Sequence, residues 1–418
     1  MSLHEVADGI LETHVTWQDV EESLQKSLGT KAKLGKDKKV TNIGDLKGFM
    51  SRIALVEVDW IGADNGEELP RKFIIKIASQ MALLIVSKIL NFGSEDGFTD
   101  EKLRNLAKFT RQCHNREVGA YRLLMKYNHP DVPYTKVYAL KCFEDEDDLK
   151  GYIIADFVPN VHTLGMFRTI PADELISIVK GIATFAALGE KLSDEEKSFA
   201  GGPEYLDLLF EEFFVEGTQE KNAQDLRNSF SEEYQDKVER LIQVFRHYRK
   251  IAKKYSKIHE LLGFRLVLNH GDLWQSNMLH TLDQDGKMKL EAMIDWQGVS
   301  RMPPGLDMSR LFVGCLSSED RREQGIELLK LYHDTFTSVL GEVPFSFEEL
   351  LGSYNLLFPI AAMVILPGLL PFFNSAQIPE DEKEDTRKKI VNSMIGILED
   401  TLKAHDYNLK HFPDFMEI

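Results

Sequence analysis

Between Leu268 and Asn277 the chain reads LNHGDLWQSN, and a second short run, AMIDWQG, follows at 292–298. Asp272 and Asn277 stand five residues apart. Asp295 lies eighteen beyond Asn277, flanked by the apolar Met293, Ile294 and Trp296. Singly, Asp and Asn are ordinary turn residues, because their short side chains hydrogen-bond nearby backbone. Together, Asn277 and Asp295 are oxygen donors of the kind Mg2+ accepts while it keeps contact with substrate phosphates. Asp272 adds a carboxylate beside that metal, able to take the proton of an attacking hydroxyl. Phosphoryl transfer also needs a cation on the nucleotide phosphates and a group that holds the cation in place. Lys76, on a strand whose opposite face is apolar, and Glu117, on the helix that follows, suit those two tasks. The segment IGDLKGFMS at 43–51 places two glycines and Ser51 just ahead of a strand, which suits close backbone approach to phosphates. Taken alone, that last pattern is also what a plain turn looks like.

Several elements have to position these groups. Thr16 begins a helix over 16–25 as its N-cap, with Asp19 at the reciprocal capping-box position. Alternation predicts a strand over 54–60 and a second over 71–79, in which Phe73, Ile75 and Ile77 share one face and Lys72, Ile74 and Lys76 the other. Asn65-Gly66 between them is a turn signal. Glu117, Tyr121 and Leu124 fall at helical spacing within 112–130, and Asn128-His129-Pro130 ends that helix. Strands are expected at 134–143 and 151–158, joined by an acidic run at 144–150 that reads as a solvated turn. A hairpin over 281–295 turns at Gln284-Asp285-Gly286 and delivers Asp295 at the end of its second strand. Beyond about residue 160 the pattern is helical, over 173–188, 232–255 and 319–340. A β-rich front and a helical back, with no internal repeat and no Gly/Ser linker, predict an α+β chain of two lobes, 1–157 and 158–418.

Composition restricts the partners. At 418 residues, with 43% apolar and 28% charged residues, the chain is long enough for a large two-lobed globular protein. A formal net charge of −17 argues against nucleic acid or an anionic membrane surface as principal partner, since both require phosphates to be neutralised. Cys113, Cys142 and Cys315 are far apart and odd in number, which fits a reducing compartment rather than a disulfide framework. The first residues lack a basic start followed by an apolar run, so no secretory signal and a cytoplasmic location are expected. The apolar segment 355–373 is broken by Pro359, Pro367, Gly368 and Pro371. It is read as a core helix ending near Leu366 and not as a membrane span. No pattern sets an oligomeric state.

In order, the glycine-containing loop, strand lysine, helix glutamate, His-Gly-Asp-x-x-x-x-Asn and Ile-Asp resemble the protein-kinase-like fold of the small-molecule type, shared by aminoglycoside phosphotransferases and choline kinases. The wording NHGDLWQSNML (269–279) with IDWQGV (294–299) is similar to the ecdysteroid-kinase-like, or CHK kinase-like, group, and the likeness runs from about residue 40 to 400. It implies ATP and Mg2+ as cofactors and a small-molecule hydroxyl as acceptor. Carried over residue by residue, it makes Asp272 the catalytic base and gives Mg2+ to Asn277 and Asp295. Lys76, paired with Glu117, contacts nucleotide phosphates, and Gly48, Phe49 and Ser51 line the phosphate loop. Ile154, Ala155, Asp156 and Phe157 form the hinge that meets adenine, and His270 braces the catalytic loop. Asp307, within PPGLDMSRL (303–311), is implied to be structural, an N-cap of the next helix.

Three departures stand out: Ala186 where a histidine is usual, a glycine loop sparser than in protein kinases, and MPPGLD at 302–307 where Gly-x-Pro-x-x-Asp is usual. None removes a group the chemistry requires. A catalytically silent nucleotide- or ligand-binding protein on the same scaffold is the alternative reading. A protein kinase is a third, against which the stretch from Asp295 to Asp307 is too short for a peptide-docking activation segment. The acceptor is open between a steroid alcohol, which needs an apolar pocket, and a choline-like cation, which needs an aromatic or acidic one. Trp274, Trp296, Phe213, Phe214 and the apolar 355–373 segment could line either.

Overall fold

A computed structural model of the chain describes residues 2–44, 50–64, 66–84, 99–162, 164–165, 167–204, 206–207, 210–211, 216–376 and 378–418. Its contacts divide the chain into two units, Met1–Lys126 with Tyr134–Asn160, and Tyr127–Pro133 with Val161–Ile418.

The first unit is built on a five-stranded sheet of β1 (Lys39–Asn42), β2 (Ser51–Glu57), β3 (Lys72–Ala78), β4 (Val137–Lys141) and β5 (Tyr152–Asp156), in the spatial order β1-β2-β3-β5-β4. Every pairing is antiparallel, although the helix Asp100–Tyr127 lies between β3 and β4 in sequence and β5 inserts between them in space. Period-two burial follows from the sequence: Ala54, Val56, Phe73, Ile75 and Ile77 all point into one core with Ile154. Each fully buried Val, Ile or Phe among them contributes about 1.5–3 kcal/mol. Helix α1 (Trp17–Leu28) closes that face through Val20 and Leu24. It starts as expected, since the Thr16 hydroxyl accepts the Asp19 N–H and the Asp19 carboxylate accepts the Thr16 N–H at 2.8 Å. Helix α2 (Asp100–Tyr127) begins a dozen residues earlier than its apolar spacing indicates, because its first turns are polar and mostly exposed. It ends as expected, with Asn128 in the left-handed region at φ 42. The 54–60 strand is really two, β2 and a separate two-residue strand, Trp60–Ile61, that pairs with Lys33–Leu34.

The second unit is mainly helical. Its helices include α3 (Ile176–Glu190), α4 (Gln235–Lys250), α5 (Gly305–Cys315), α6 (Ser318–Leu340), α7 (Phe347–Ile365) and α8 (Glu380–His411). Two small antiparallel pairs interrupt them: β6 (Val267–Asn269) with β9 (Ser300–Met302), and the hairpin of β7 (Met278–Leu282) and β8 (Met288–Met293). The hairpin turns through Gly286 at φ 78, with the Asp283 carboxylate accepting the N–H groups of Asp285 and Lys287. The apolar 355–373 segment belongs mostly to α7, whose Leu356, Leu357, Phe358, Ile360 and Ala361 are buried in the core of this unit. Pro359 does not break this helix, which runs on to Ile365, and the interruption comes at Pro367-Gly368. At the start of α5, a Cβ on Gly305 would lie 2.2 Å from the Tyr354 backbone nitrogen, so the two helices touch backbone to backbone there.

Candidate functional site

In the first unit, Lys76 sits in the middle of β3 opposite Ile53 and Ile153, on the face away from Phe73, Ile75 and Ile77. Its ammonium donates to Glu117 Oε2 at 2.6 Å, and Glu117, on α2, is buried. One turn earlier on α2, His114 is buried and donates from Nε2 to the Lys141 carbonyl at 2.8 Å. Burial, partly opposed by that bond, lowers its pKa to about 4, so the imidazole beside the pair is neutral. Ser51 is the first residue of β2, buried and paired with Ala78. Gly48 and Phe49 lie outside the described residues.

The structure corrects the hinge assignment. Ile154 pairs with Ile75 on β3 and with Ala139 on β4, and Ala155 with Ile74 and Val137. A strand with neighbours on both edges spends its N–H and C=O groups alternately on the two ladders. Asp156 pairs with Phe73 and gives its N–H to the Lys136 carbonyl at 2.8 Å. Ile154 and Ala155 therefore have no backbone edge to present to a base, whereas Asp156 ends the strand with only its N–H spent. Of the four residues, only Phe157 lies past the ladder, with the Lys72 ammonium 4.6 Å from its ring.

In the second unit the loop after β6 is held from several sides. Gly271 adopts φ 79, and a Cβ there would meet the Gly298 carbonyl oxygen at 2.1 Å, so the loop and the segment after Asp295 press together where only glycine fits. His270 is fully buried. Its Nε2 donates to the Ile294 carbonyl at 3.0 Å and its Nδ1 accepts the Asp272 N–H at 3.3 Å, an assignment that the carbonyl partner requires. Its ring packs on Trp296, centroids 4.4 Å apart, and Trp296 packs on Phe185. Trp296 is thus core, while Phe213 and Phe214 lie outside the described residues. Ala186, beside Phe185 on α3, is also buried.

Asp307 does not cap its own helix. It lies in the first turn of α5, where Pro304 precedes the helix without a side-chain cap bond. Its carboxylate instead accepts the N–H of His270 at 2.6 Å and of Gly271 at 2.8 Å. The clamp reaches across 36 residues of sequence, so helix-start rules could not disclose it. Burial pushes this carboxyl up to about 6, against the pull of those two N–H groups and of Arg310, with Asp272 adding to the rise.

Asp272, Asn277 and Asp295 come together around this loop. Asn277 donates from Nδ2 to the Asp272 carbonyl at 2.8 Å and to Asp272 Oδ2 at 3.3 Å, which turns its Oδ1 the other way. The Ile294 N–H bonds the Asn277 carbonyl at 2.9 Å, tying the approach to Asp295 to the same turn. Asp295 itself stands in the left-handed region at φ 63 and ψ 52, a conformation Asp tolerates better than most residues. Its carboxylate accepts from Gln297 Nε2 at 3.3 Å. Burial raises the Asp272 pKa, Arg310 opposes, and the neighbouring charge of Asp295 adds to the rise. Arg310, three residues after Asp307 on α5, donates from Nη2 to Asp272 Oδ1 at 2.7 Å. The sequence reading missed Arg310. Its only local signal is the three-residue spacing from Asp307, which puts both side chains on one helical face.

Among the described residues no three His, Cys, Asp or Glu side chains are grouped to hold a metal. The pair assigned to the metal is the Asn277 amide and the Asp295 carboxylate, oxygen donors only, with the Asp272 carboxylate beside them. That donor chemistry fits Mg2+, which binds through one or two carboxylates and leaves its other positions to water and phosphate.

An antiparallel sheet carrying a lysine tied to a helix glutamate, followed by a helical unit with an Asp-x-x-x-x-Asn loop and a later Asp, defines a protein-kinase-like α+β fold. The chain belongs to the family described as "Uncharacterized oxidoreductase dhs-27" (DUF1679), whose profile matches residues 3–409. It is 24% identical over 318 residues to the "Uncharacterized kinase-like protein D1044.1" of Caenorhabditis elegans, covering 74% of this chain and 81% of that protein. It is 22% identical over 361 residues to "Uncharacterized oxidoreductase dhs-27" of the same organism, covering 84% of this chain but only 41% of that protein. Among solved structures, a GDP complex of aminoglycoside 2'-phosphotransferase-IIIa matches with a TM-score of 0.44 at 13% identity, over 93% of this chain and 99% of the other. A Plasmodium vivax ethanolamine kinase matches at 0.37 and 14%, over 93% and 90%.

Proposed function

We propose that this chain is an ATP- and Mg2+-dependent kinase that phosphorylates a hydroxyl group on a small molecule. The observation that carries the reading is the Asp272 loop. One carboxylate is held at both oxygens, beside an amide oxygen and a second carboxylate, on a backbone clamped by Asp307. In-line phosphoryl transfer asks a protein mainly for positioning and charge compensation. Asp272 would orient the acceptor hydroxyl and receive its proton, a task helped by burial raising its pKa towards the working range. Lys76, steadied by Glu117, would hold the nucleotide phosphates. Asn277 Oδ1 and the Asp295 carboxylate would hold Mg2+, which when bound supplies charge neutralisation on the phosphate oxygens.

The word oxidoreductase in the family description is not carried over. None of the 28 glycines forms a Gly-x-Gly pair, and the main sheet is antiparallel, so the described residues contain no dinucleotide-binding βαβ unit. A catalytically silent nucleotide binder is the second reading, favoured by the Arg310 bond that occupies one oxygen of the proposed base. The test is phosphate transfer from ATP to a panel of steroid alcohols and choline-like amines, wild type against Asp272→Asn. Transfer by wild type and at least a hundredfold loss in the variant is expected. Equal turnover refutes the role of Asp272, and a Mg-ATP-dependent rise in melting temperature without any transfer selects the silent reading.

A further inference from the structure

We propose that Arg310 is the positioning residue of the Asp272 carboxylate: it fixes one oxygen so that the other is presented to the acceptor hydroxyl. The proposal rests on the phosphotransfer reading above. An aspartate side chain turns easily about its last torsion, which is broad and two-fold, so an unrestrained carboxylate presents its oxygens indifferently. Here the two oxygens are distinguished. Oδ1 receives the Arg310 guanidinium at 2.7 Å, and Oδ2 faces Asn277 at 3.3 Å, the longer and weaker contact. The shorter bond is the charge-assisted one, so it sets the plane of the carboxylate.

Arg310 is suited to this by where it is mounted. It leaves α5 on the same face as Asp307, one turn on, and Asp307 grips the backbone of His270 and Gly271. A single helix thus holds the loop by its backbone and by its carboxylate. That helix is anchored in turn, since Gly305 donates its N–H to Ser353 Oγ at 3.0 Å and lies against the backbone of Tyr354. The arginine also keeps its reach at a cost. It meets Asp272 through Nη2, while its Nε is buried without an acceptor. A salt bridge serving stability alone would take the two-point form that arginine and carboxylate prefer. An arginine that forgoes it fits a requirement on where the carboxylate points.

The experiment compares wild type, Arg310→Gln, Arg310→Lys, Asp272→Asn and the Arg310→Gln/Asp272→Asn double variant, each checked for unchanged melting. Crystal structures of wild type and Arg310→Gln supply a readout that does not depend on turnover. The expected result is an Asp272 carboxylate rotated or displaced by about 1 Å in Arg310→Gln, with kcat down on the order of 100-fold. KM for ATP should stay within about threefold, because Arg310 is not assigned to the nucleotide. Arg310→Lys should recover part of kcat, and Arg310→Gln should add no loss in the Asp272→Asn background, as residues acting as a unit are non-additive. An unmoved carboxylate, turnover near wild type in Arg310→Gln, or a full additional loss in the double variant each overturns the proposal. Should Arg310→Gln prove unfolded, the Arg310→Lys structure and kinetics decide by the same criteria. A displaced carboxylate in a protein whose wild type transfers no phosphate would leave Arg310 as the group that sets Asp272 and refute the phosphotransfer reading instead.

Discussion

Replacing Asp307 by asparagine separates two opposed contributions of one buried carboxylate. The group is 2% exposed and accepts backbone N–H groups at 2.6 and 2.8 Å. Asparagine keeps one acceptor and turns an NH2 toward the second N–H, as the protonated carboxyl turns its OH, so the charge-assisted bond of about 1.5–3 kcal/mol that it lacks belongs to the ionised form alone. Against this, the substitution removes a charge that burial disfavours. Burial lifts the carboxyl from 3.8 to about 6, and about two pK units correspond to about 3 kcal/mol between the two protonation states. Because the folded pKa lies above the unfolded one, the associated stabilisation is complete below about pH 4 and is lost as pH rises through about 6. Wild type therefore loses about 3 kcal/mol across that window, and the asparagine variant, which has no group to titrate there, does not. The two proteins should be nearly equal in stability at pH 4, and the difference should move toward the asparagine variant by up to about 3 kcal/mol at pH 7. Urea unfolding followed by tryptophan emission measures it, since Trp296 stacks on His270 within the clamped loop. A difference between the two proteins that is the same at pH 4 and pH 7 refutes the account of Asp307 as a charge held in place against its own burial.

Further outcomes follow from the same geometry. Lys76→Met should cost about 1.5–3 kcal/mol by removing a charge-assisted bond to the buried Glu117, and Lys76→Met/Glu117→Gln should cost less than the sum of the single changes. Additive melting shifts would count against that coupling. Gly271→Ala should destabilise by about 3 kcal/mol or more, roughly 3–5 °C in melting temperature for a chain of this size, because the added methyl meets the Gly298 carbonyl in a left-handed backbone. A normal melt would show that the loop can relax. Asp295→Asn should melt within about 2 °C of wild type, since asparagine also tolerates the left-handed region. Stabilisation by Mg-ATP should fall sharply in the same variant, measurable by thermal shift.

What could be read from sequence divides by distance along the chain. The Thr16–Asp19 cap, the alternation that turns Lys76 away from Phe73, Ile75 and Ile77, and the hairpin at Gly286 are all set within a few residues, and each is present. The Lys76–Glu117 contact was inferable only as an order of motifs, because 41 residues separate its partners. Asp307 and Arg310 were harder still. Their work is done on His270, Gly271 and Asp272, and nothing in PPGLDMSRL states that a helix face points there. Ile154 and Ala155 were assigned to the hinge for a related reason. A strand's local pattern does not say whether one or both of its edges are paired, and β5 turned out to be interior.

The backbone at Asp295 limits what can ever replace that residue. A left-handed site accepts glycine, asparagine or aspartate at little cost and charges other side chains about 1–2 kcal/mol. A descendant of this chain that gave up chemistry would drift along that narrow corridor, to asparagine or glycine, before reaching alanine or valine. Position 295 thus offers a ledger of lost activity that can be read from sequence alone across a gene family.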